Sequence, residues 1–206
     1  MSGEITLYDS RLSGNSWKVR LLLTQLGRPF KRVSFNLAEG KTRTPEFLAK
    51  NPVAKVPVIE TSDGTTLFES NAILVWLARG TPFLPDDANE QAEVMQWMFF
   101  EQAEVLRNLA GPRFAISIGK NAAGRETEIA AWHSAGNRAL GIIDAHLKAR
   151  TFFVGGRYTI ADIAHYPYIA MADQGGYDMA RYPHIGAWLE RVRRQPRYVP
   201  LVEGAA

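Results

Sequence analysis

Three short segments carry side chains and backbone breaks suited to holding a small charged molecule. The first is Asn51-Pro52-Val53-Ala54-Lys55-Val56-Pro57-Val58-Ile59. Pro57 cannot donate to a strand ladder, so the Val56-Pro57 step belongs at an edge or a break. With a cis bond there, the Val56 N–H and C=O face outward, and an extended peptide can pair with them as an added strand. An ordinary loop proline fits the same letters. The second segment is Phe68-Glu69-Ser70-Asn71-Ala72-Ile73, where Ser70 is a favoured N-cap. The free N–H groups of the helix behind it suit a carboxylate, and the adjoining Glu69 suits an ammonium. One α-amino acid head group needs both, although a plainly capped helix accounts for the serine alone. The third is the loop from Ser10 to Arg20, in which Ser13, Asn15 and Ser16 can each cap a helix. A hydroxyl or amide at that position also favours an anion, and it can lower a thiol several units from its reference pKa of about 8.5. Capping and anion binding share one geometry here.

The surrounding elements must position these groups. Ile5–Tyr8 and Phe30–Phe35 are β-prone, and Val19, Leu22, Leu23 and Leu26 recur between them at helical spacing until Gly27. Pro45–Lys50 forms a short helical turn. Val56–Glu60 and Thr66–Phe68 are strands joined through Ser62-Asp63-Gly64, and an apolar helix runs over Ala72–Ala78. The order βαβ, irregular helix, ββα makes a compact mixed sheet within residues 1–80. Residues 81–90, with two prolines and several polar side chains, form a linker. Residues 91–206 are helical in period, with Val94, Trp97, Met98, Val105, Leu106 and Leu109 on one face and Ile129, Trp132, Leu140, Ile143 and Leu147 on another.

Composition narrows the chemistry. The 206 residues include no cysteine, which excludes disulfides, thiolate metal sites and cysteine nucleophiles. Any sulfur handled must arrive with the substrate. Lys+Arg 24 against Asp+Glu 21 leaves +3, concentrated in the first 80 residues, which suits a small anionic ligand over a nucleic-acid backbone. Arg191, Arg193, Arg194 and Arg197 lie among Trp188, Leu189 and Val192 and are expected on the solvated face of a last helix, with a phosphate-binding patch as the alternative. No signal region opens the chain and no apolar run spans a bilayer, so a cytoplasmic protein with no membrane or nucleic-acid partner is expected.

In this order and spacing, the segments resemble the cytosolic glutathione S-transferase family. "NPVAKVPVIE", "DGTTLFESNAILVWLA" and "TPFLP" carry the resemblance in the first domain, and "FFVGGRYTIADIAHYPYI" and "YPHIGAWLERVRRQP" in the second. It implies a thioredoxin-like α/β domain followed by an all-α domain. It also implies a homodimer that binds glutathione as co-substrate. Val56, beside a cis-Pro57, would pair through its backbone with the cysteinyl unit. Glu69 and Ser70 would hold the γ-glutamyl ammonium and carboxylate, with Lys41 or Lys55 near the glycyl carboxylate. The thiolate stabiliser falls to Ser13, Asn15, Ser16 or backbone amides of the loop, because Tyr8 lies too early, inside the strand. Ser13 takes the hydroxyl position when Lys18-Val19 is aligned with the helix core. Thr159 and Asp162 form a capping-box pair, a structural element in this family.

Without cysteine, direct thiol addition or substitution at an electrophilic carbon is the favoured reaction. Reduction of peroxides or mixed disulfides stays open, because the substrate's own sulfur can serve as nucleophile. So do an isomerase using glutathione and a non-catalytic binding protein. A small hydrophobic electrophile is expected between the domains near Trp97, Phe100, Arg107, Arg113 and Phe114, although helical spacing also fits Trp97 and Phe100 to core packing. His133, His146, His165 and His184 show no ligand-like spacing, and no metal is expected.

Overall fold

A computed structural model describes residues 4–201 of the chain. Its contacts divide it into two compact units, Gly80–Gln195 and the residues up to Arg79 joined by the tail from Pro196. The described tail, residues 196–201, therefore groups with the first unit, whereas the sequence alone suggests a second domain over 91–206. Trp17 Nε1 donates to the Val199 carbonyl at 2.9 Å, and the Trp17 and Tyr198 rings meet edge to face.

In the first unit a four-stranded sheet has the order β2-β1-β3-β4. The strands are β1 (Ile5–Asp9), β2 (Phe30–Ser34), β3 (Val58–Thr61) and β4 (Thr66–Phe68). β1 pairs parallel with β2 and antiparallel with β3, and β3 pairs antiparallel with β4. The parallel pair needs a crossover, supplied by α1 (Gly14–Gln25). This helix is buried on nearly every side, Trp17, Val19 and Leu21–Leu23 included, so its apolar letters spread beyond a single stripe. α2 (Pro45–Leu48) is one short turn whose cap, Thr44, accepts the Phe47 N–H. Phe47, Val56 and Val58 form a small core with Tyr8 and Phe35 against it. α3 (Ser70–Ala78) buries Ile73, Leu74 and Leu77.

Two sequence boundaries shift for physical reasons. β3 begins at Val58, after the cis Val56-Pro57 bond, because Pro57 has no N–H to give a neighbour. The N-cap of α3 is Glu69, and Ser70 is its first helical residue, making no side-chain cap bond.

The second unit is helical. Asp87 accepts the N–H groups of Asn89 and Glu90, so α4 (Ala88–Phe100) starts inside the segment read as a linker. The chain continues helically through a π-helical stretch, Glu101–Leu106, then α5 (Arg107–Arg113), then a second π stretch, Phe114–Ile118. Pro112, which cannot donate within α5, adjoins the second departure from α geometry. α6 (Glu126–Leu147), α7 (Ile160–Ala170) and α8 (Pro183–Arg193) complete it. Gly136 of α6 is dictated by packing, since a Cβ there would lie 2.2 Å from the Tyr177 hydroxyl. α7 is buried from Ile160 to Ile169, and a capping box of Thr159 and Asp162 opens it. No helix among the described residues is long and apolar enough to cross a membrane.

Candidate active site

The β1–α1 loop separates the three thiolate candidates by environment. Ser13 is the N-cap of α1: its Oγ accepts the Ser16 N–H at 3.2 Å, leaving its O–H free to donate. Ser16 is fully buried and its Oγ accepts the Ser10 N–H, so it is closed to a ligand. Asn15, half-buried in the first turn, caps nothing. Its Oδ1 accepts the Ser70 hydroxyl at 3.3 Å, and its Nδ2 amide group has no partner among the described residues. Below the loop, the buried Asp9 carboxylate accepts Arg20 at 2.6 Å and Arg32 at 2.7 Å, and Arg20 also donates to the Ser10 carbonyl. That ion cluster ties the end of β1 to α1 and fixes the loop. Tyr8 is engaged elsewhere, donating to Glu60 at 2.6 Å beside Lys50. Burial first, and then the Glu60 carboxylate, push its phenol above the ordinary value.

The Val56 backbone is presented by Asn51. The buried Asn51 amide donates to the Lys55 carbonyl at 2.7 Å and accepts the Val53 N–H at 2.9 Å, folding the segment into a tight turn through Ala54 at φ 58°. Neither the N–H nor the C=O of Val56 has a partner among the described residues. An unpaired donor and acceptor at the end of a strand are what an extended peptide can complete.

A cavity of about 420 Å³ opens against this turn, lined in part by Ser13, Thr42, Arg43, Lys55 and Val56. The two cations in it are Lys55 and Arg43, and neither side chain has a partner among the described residues. Lys41 is not part of the lining: it is exposed and paired with Glu39 at 2.9 Å. Arg43 escapes sequence reading because its place depends on a short 3₁₀ turn, Lys41–Arg43, that follows the left-handed Gly40 at φ 68°. Lysine and arginine alternate in that segment, and only the turn decides which one faces inward.

Glu69 stands at φ 69° and ψ 110°, a conformation that costs a non-glycine residue about 1–3 kcal/mol. Its carboxylate is exposed and has no partner among the described residues. Its strained backbone turns the chain directly from β4 into α3, and the first N–H groups of that helix follow at the buried Ser70. A negative side chain and a helix N-terminus thus adjoin, as an amino acid head group requires.

The five electrophile candidates do not form one surface within the helical unit. Trp97 is core, packed against Phe100, His146, Phe153 and His165. Phe100 is half-buried beside it. Arg113 is buried and donates to Gln174 at 2.8 Å, a packing role. Arg107 and Phe114 are exposed. Among the described residues no three His, Asp or Glu side chains gather as metal ligands do.

Comparison with known proteins agrees with this architecture. Residues 3–79 match the glutathione S-transferase N-terminal domain and residues 103–196 the C-terminal domain. A glutathione S-transferase from Pseudomonas fluorescens is 42% identical, with 97% of this chain and 99% of that one covered at a TM-score of 0.94. The disulfide-bond oxidoreductase YfcG of Escherichia coli is 30% identical over 192 residues, covering 88% of this chain and 87% of that protein. A second Pseudomonas fluorescens family member, solved with two glutathione molecules bound, is 27% identical over 94% of this chain and 89% of its own, with a TM-score of 0.84. The chain belongs to the glutathione S-transferase family.

Proposed function

We propose that the protein is a cytoplasmic, homodimeric glutathione transferase, which holds the thiol of glutathione as a thiolate and joins it to a small hydrophobic electrophile. The observation that carries this reading is the 3.3 Å hydrogen bond from Ser70 to Asn15. It couples the start of α3, where an amino acid head group is served, to the start of α1, where an anionic sulfur is served. Between these ends, the free Val56 backbone suits the cysteinyl peptide, and Arg43 and Lys55 suit the glycyl carboxylate. Glutathione has these four features in this order, and the glutathione-bound relative adds support.

In the reaction the thiol proton passes to solvent, the thiolate attacks an electrophilic carbon, and an S–C bond forms. In a substitution the leaving group departs with its bonding pair, and in an addition the π or ring bond opens and the atom that receives the pair takes a proton from solvent. The protein contributes position and a lowered thiol pKa. Trp97 supports the fold of the helical unit, and Phe100, Arg107 and Phe114 remain the residues proposed to meet the electrophile.

A second reading, glutathione-dependent disulfide reduction, is favoured by the likeness to an oxidoreductase. In a chain without cysteine the thiolate of one glutathione would attack the substrate disulfide, releasing one thiol. A second glutathione would then resolve the mixed disulfide to glutathione disulfide. Calorimetry with glutathione, followed by turnover on a chloroaromatic, an isothiocyanate, an epoxide, a peroxide and a mixed disulfide, separates the readings. Conjugation is the expected activity. Absence of glutathione binding overturns both, and turnover of the mixed disulfide alone overturns the first.

A further inference from the structure

We infer that the helical unit carries an anion-binding site of its own, suited to a small phosphate-bearing molecule, where the end of α6 meets α8. A cavity of about 380 Å³ lies there, lined by Lys148, Arg150, His184 and Arg191. The rest of its lining is apolar or small, apart from Thr151, and contains no carboxylate. Three cations and an imidazole thus line one concavity with no carboxylate among them, a local field that favours an anion.

The neighbouring charges do not neutralise it. Arg193 is paired with Glu190, and Arg157 with Glu90, but none of the four lining side chains is ion-paired among the described residues. Asp144 approaches from α6, where its carboxylate accepts the backbone N–H groups of His184 and Ile185 at 2.9 and 3.0 Å, but it does not line the cavity, and one carboxylate beside three cations leaves the net charge positive. Arg191 is half-buried, and its Nε donates to the Thr151 carbonyl at 2.9 Å. That bond fixes the guanidinium plane and leaves both terminal nitrogens without a partner among the described residues.

Helix electrostatics explains only part of the cluster. Lys148 and Arg150 follow the C-terminus of α6, where cations are favoured. His184 lies in the first turn of α8, where that effect gives no account of a basic side chain. A single carboxylate needs one guanidinium, whereas a phosphate dianion uses several cations, and a fixed arginine fork matches two of its oxygens. The volume suits a small metabolite.

The test is titration of the full chain with inorganic pyrophosphate at constant ionic strength, read by calorimetry and by thermal unfolding. It is run on the wild type and on an Arg43→Ala, Lys55→Ala variant that lacks the cations of the other cavity. Saturable binding is expected in both, accompanied by a rise in Tm. The exposed pair Lys148→Ala, Arg150→Ala, and separately Arg191→Gln, should each weaken it about tenfold or more, equal to about 1.4 kcal/mol. Absence of saturable binding overturns the inference, as does binding that survives both sets of substitutions or disappears with Arg43 and Lys55.

Discussion

Asn15 and Ser13 stand two residues apart and answer to different physical demands. The Ser13 hydroxyl accepts the Ser16 N–H, a duty that explains its side chain without a ligand. Asn15 caps nothing, yet its amide is oriented by Ser70 and keeps both N–H donors free. On that ground Asn15 is proposed as the thiolate donor, with Ser13 a lesser contributor through its remaining O–H. Asn15→Ala should raise the apparent pKa of bound glutathione by about one unit, a loss of about 1.4 kcal/mol of thiolate stabilisation. Ser13→Ala should move the thiol less, while removing about 1 kcal/mol of stability with the cap. Ultraviolet thiolate absorbance against pH, alongside denaturant unfolding, reads both effects. A larger thiol shift in Ser13→Ala would transfer the assignment to the hydroxyl.

Among the elements, α7 shows how one side chain can organise a unit. Asp162 accepts the Thr159 N–H at 2.9 Å, the Phe153 N–H at 3.2 Å, Trp188 Nε1 at 2.9 Å and the Thr159 hydroxyl at 3.3 Å. It joins the start of α7 to the preceding loop and to α8. Burial pushes its carboxyl up to about 6 from an ordinary 3.8, against the pull of those four donors. The folded chain therefore holds this proton more tightly than the unfolded chain, and the associated stability is full below about pH 4 and lost by about pH 6. Asp162→Asn should lack that slope. It should also be less stable throughout, by about 2–4 kcal/mol, because an amide cannot serve all four donors. Urea unfolding of both chains at pH 4.5 and 7 checks this, and parallel pH slopes would sink it. This element is legible from "RYTIAD", because a capping box depends on residues three apart in sequence. The Val56-Pro57 break is legible for a similar reason: the constraint lies in the proline itself. The positive φ of Glu69 is not, because the residue type gives no sign of it and the one-residue passage from β4 to α3 sets it. Arg43 was hidden likewise, since its direction depends on the turn after Gly40.

At the scale of the whole molecule, sequence reading found the change of texture near Gly80 but missed the return of the tail. Residues 197–201, Arg-Tyr-Val-Pro-Leu, have no helical periodicity, and their place is set by Trp17, far away along the chain. The same scale governs assembly. Phe99 on α4 is 72% exposed, and Ala92 and Gln96 lie exposed on the same side of the helix, at spacings that align one above another. Small and polar neighbours let a second surface approach closely, and burial of a phenylalanine contributes about 1.5–3 kcal/mol for each copy. In a twofold dimer each such contact counts twice. Phe99 is therefore the contact proposed for that homodimer. Sedimentation should give a mass near twice the chain's 23.0 kDa. Phe99→Glu should shift the population toward one chain while leaving the fold intact, because that side chain supports no core. A wild type that sediments as a single chain would remove the dimer, and a variant that still sediments as two would move the interface to another face.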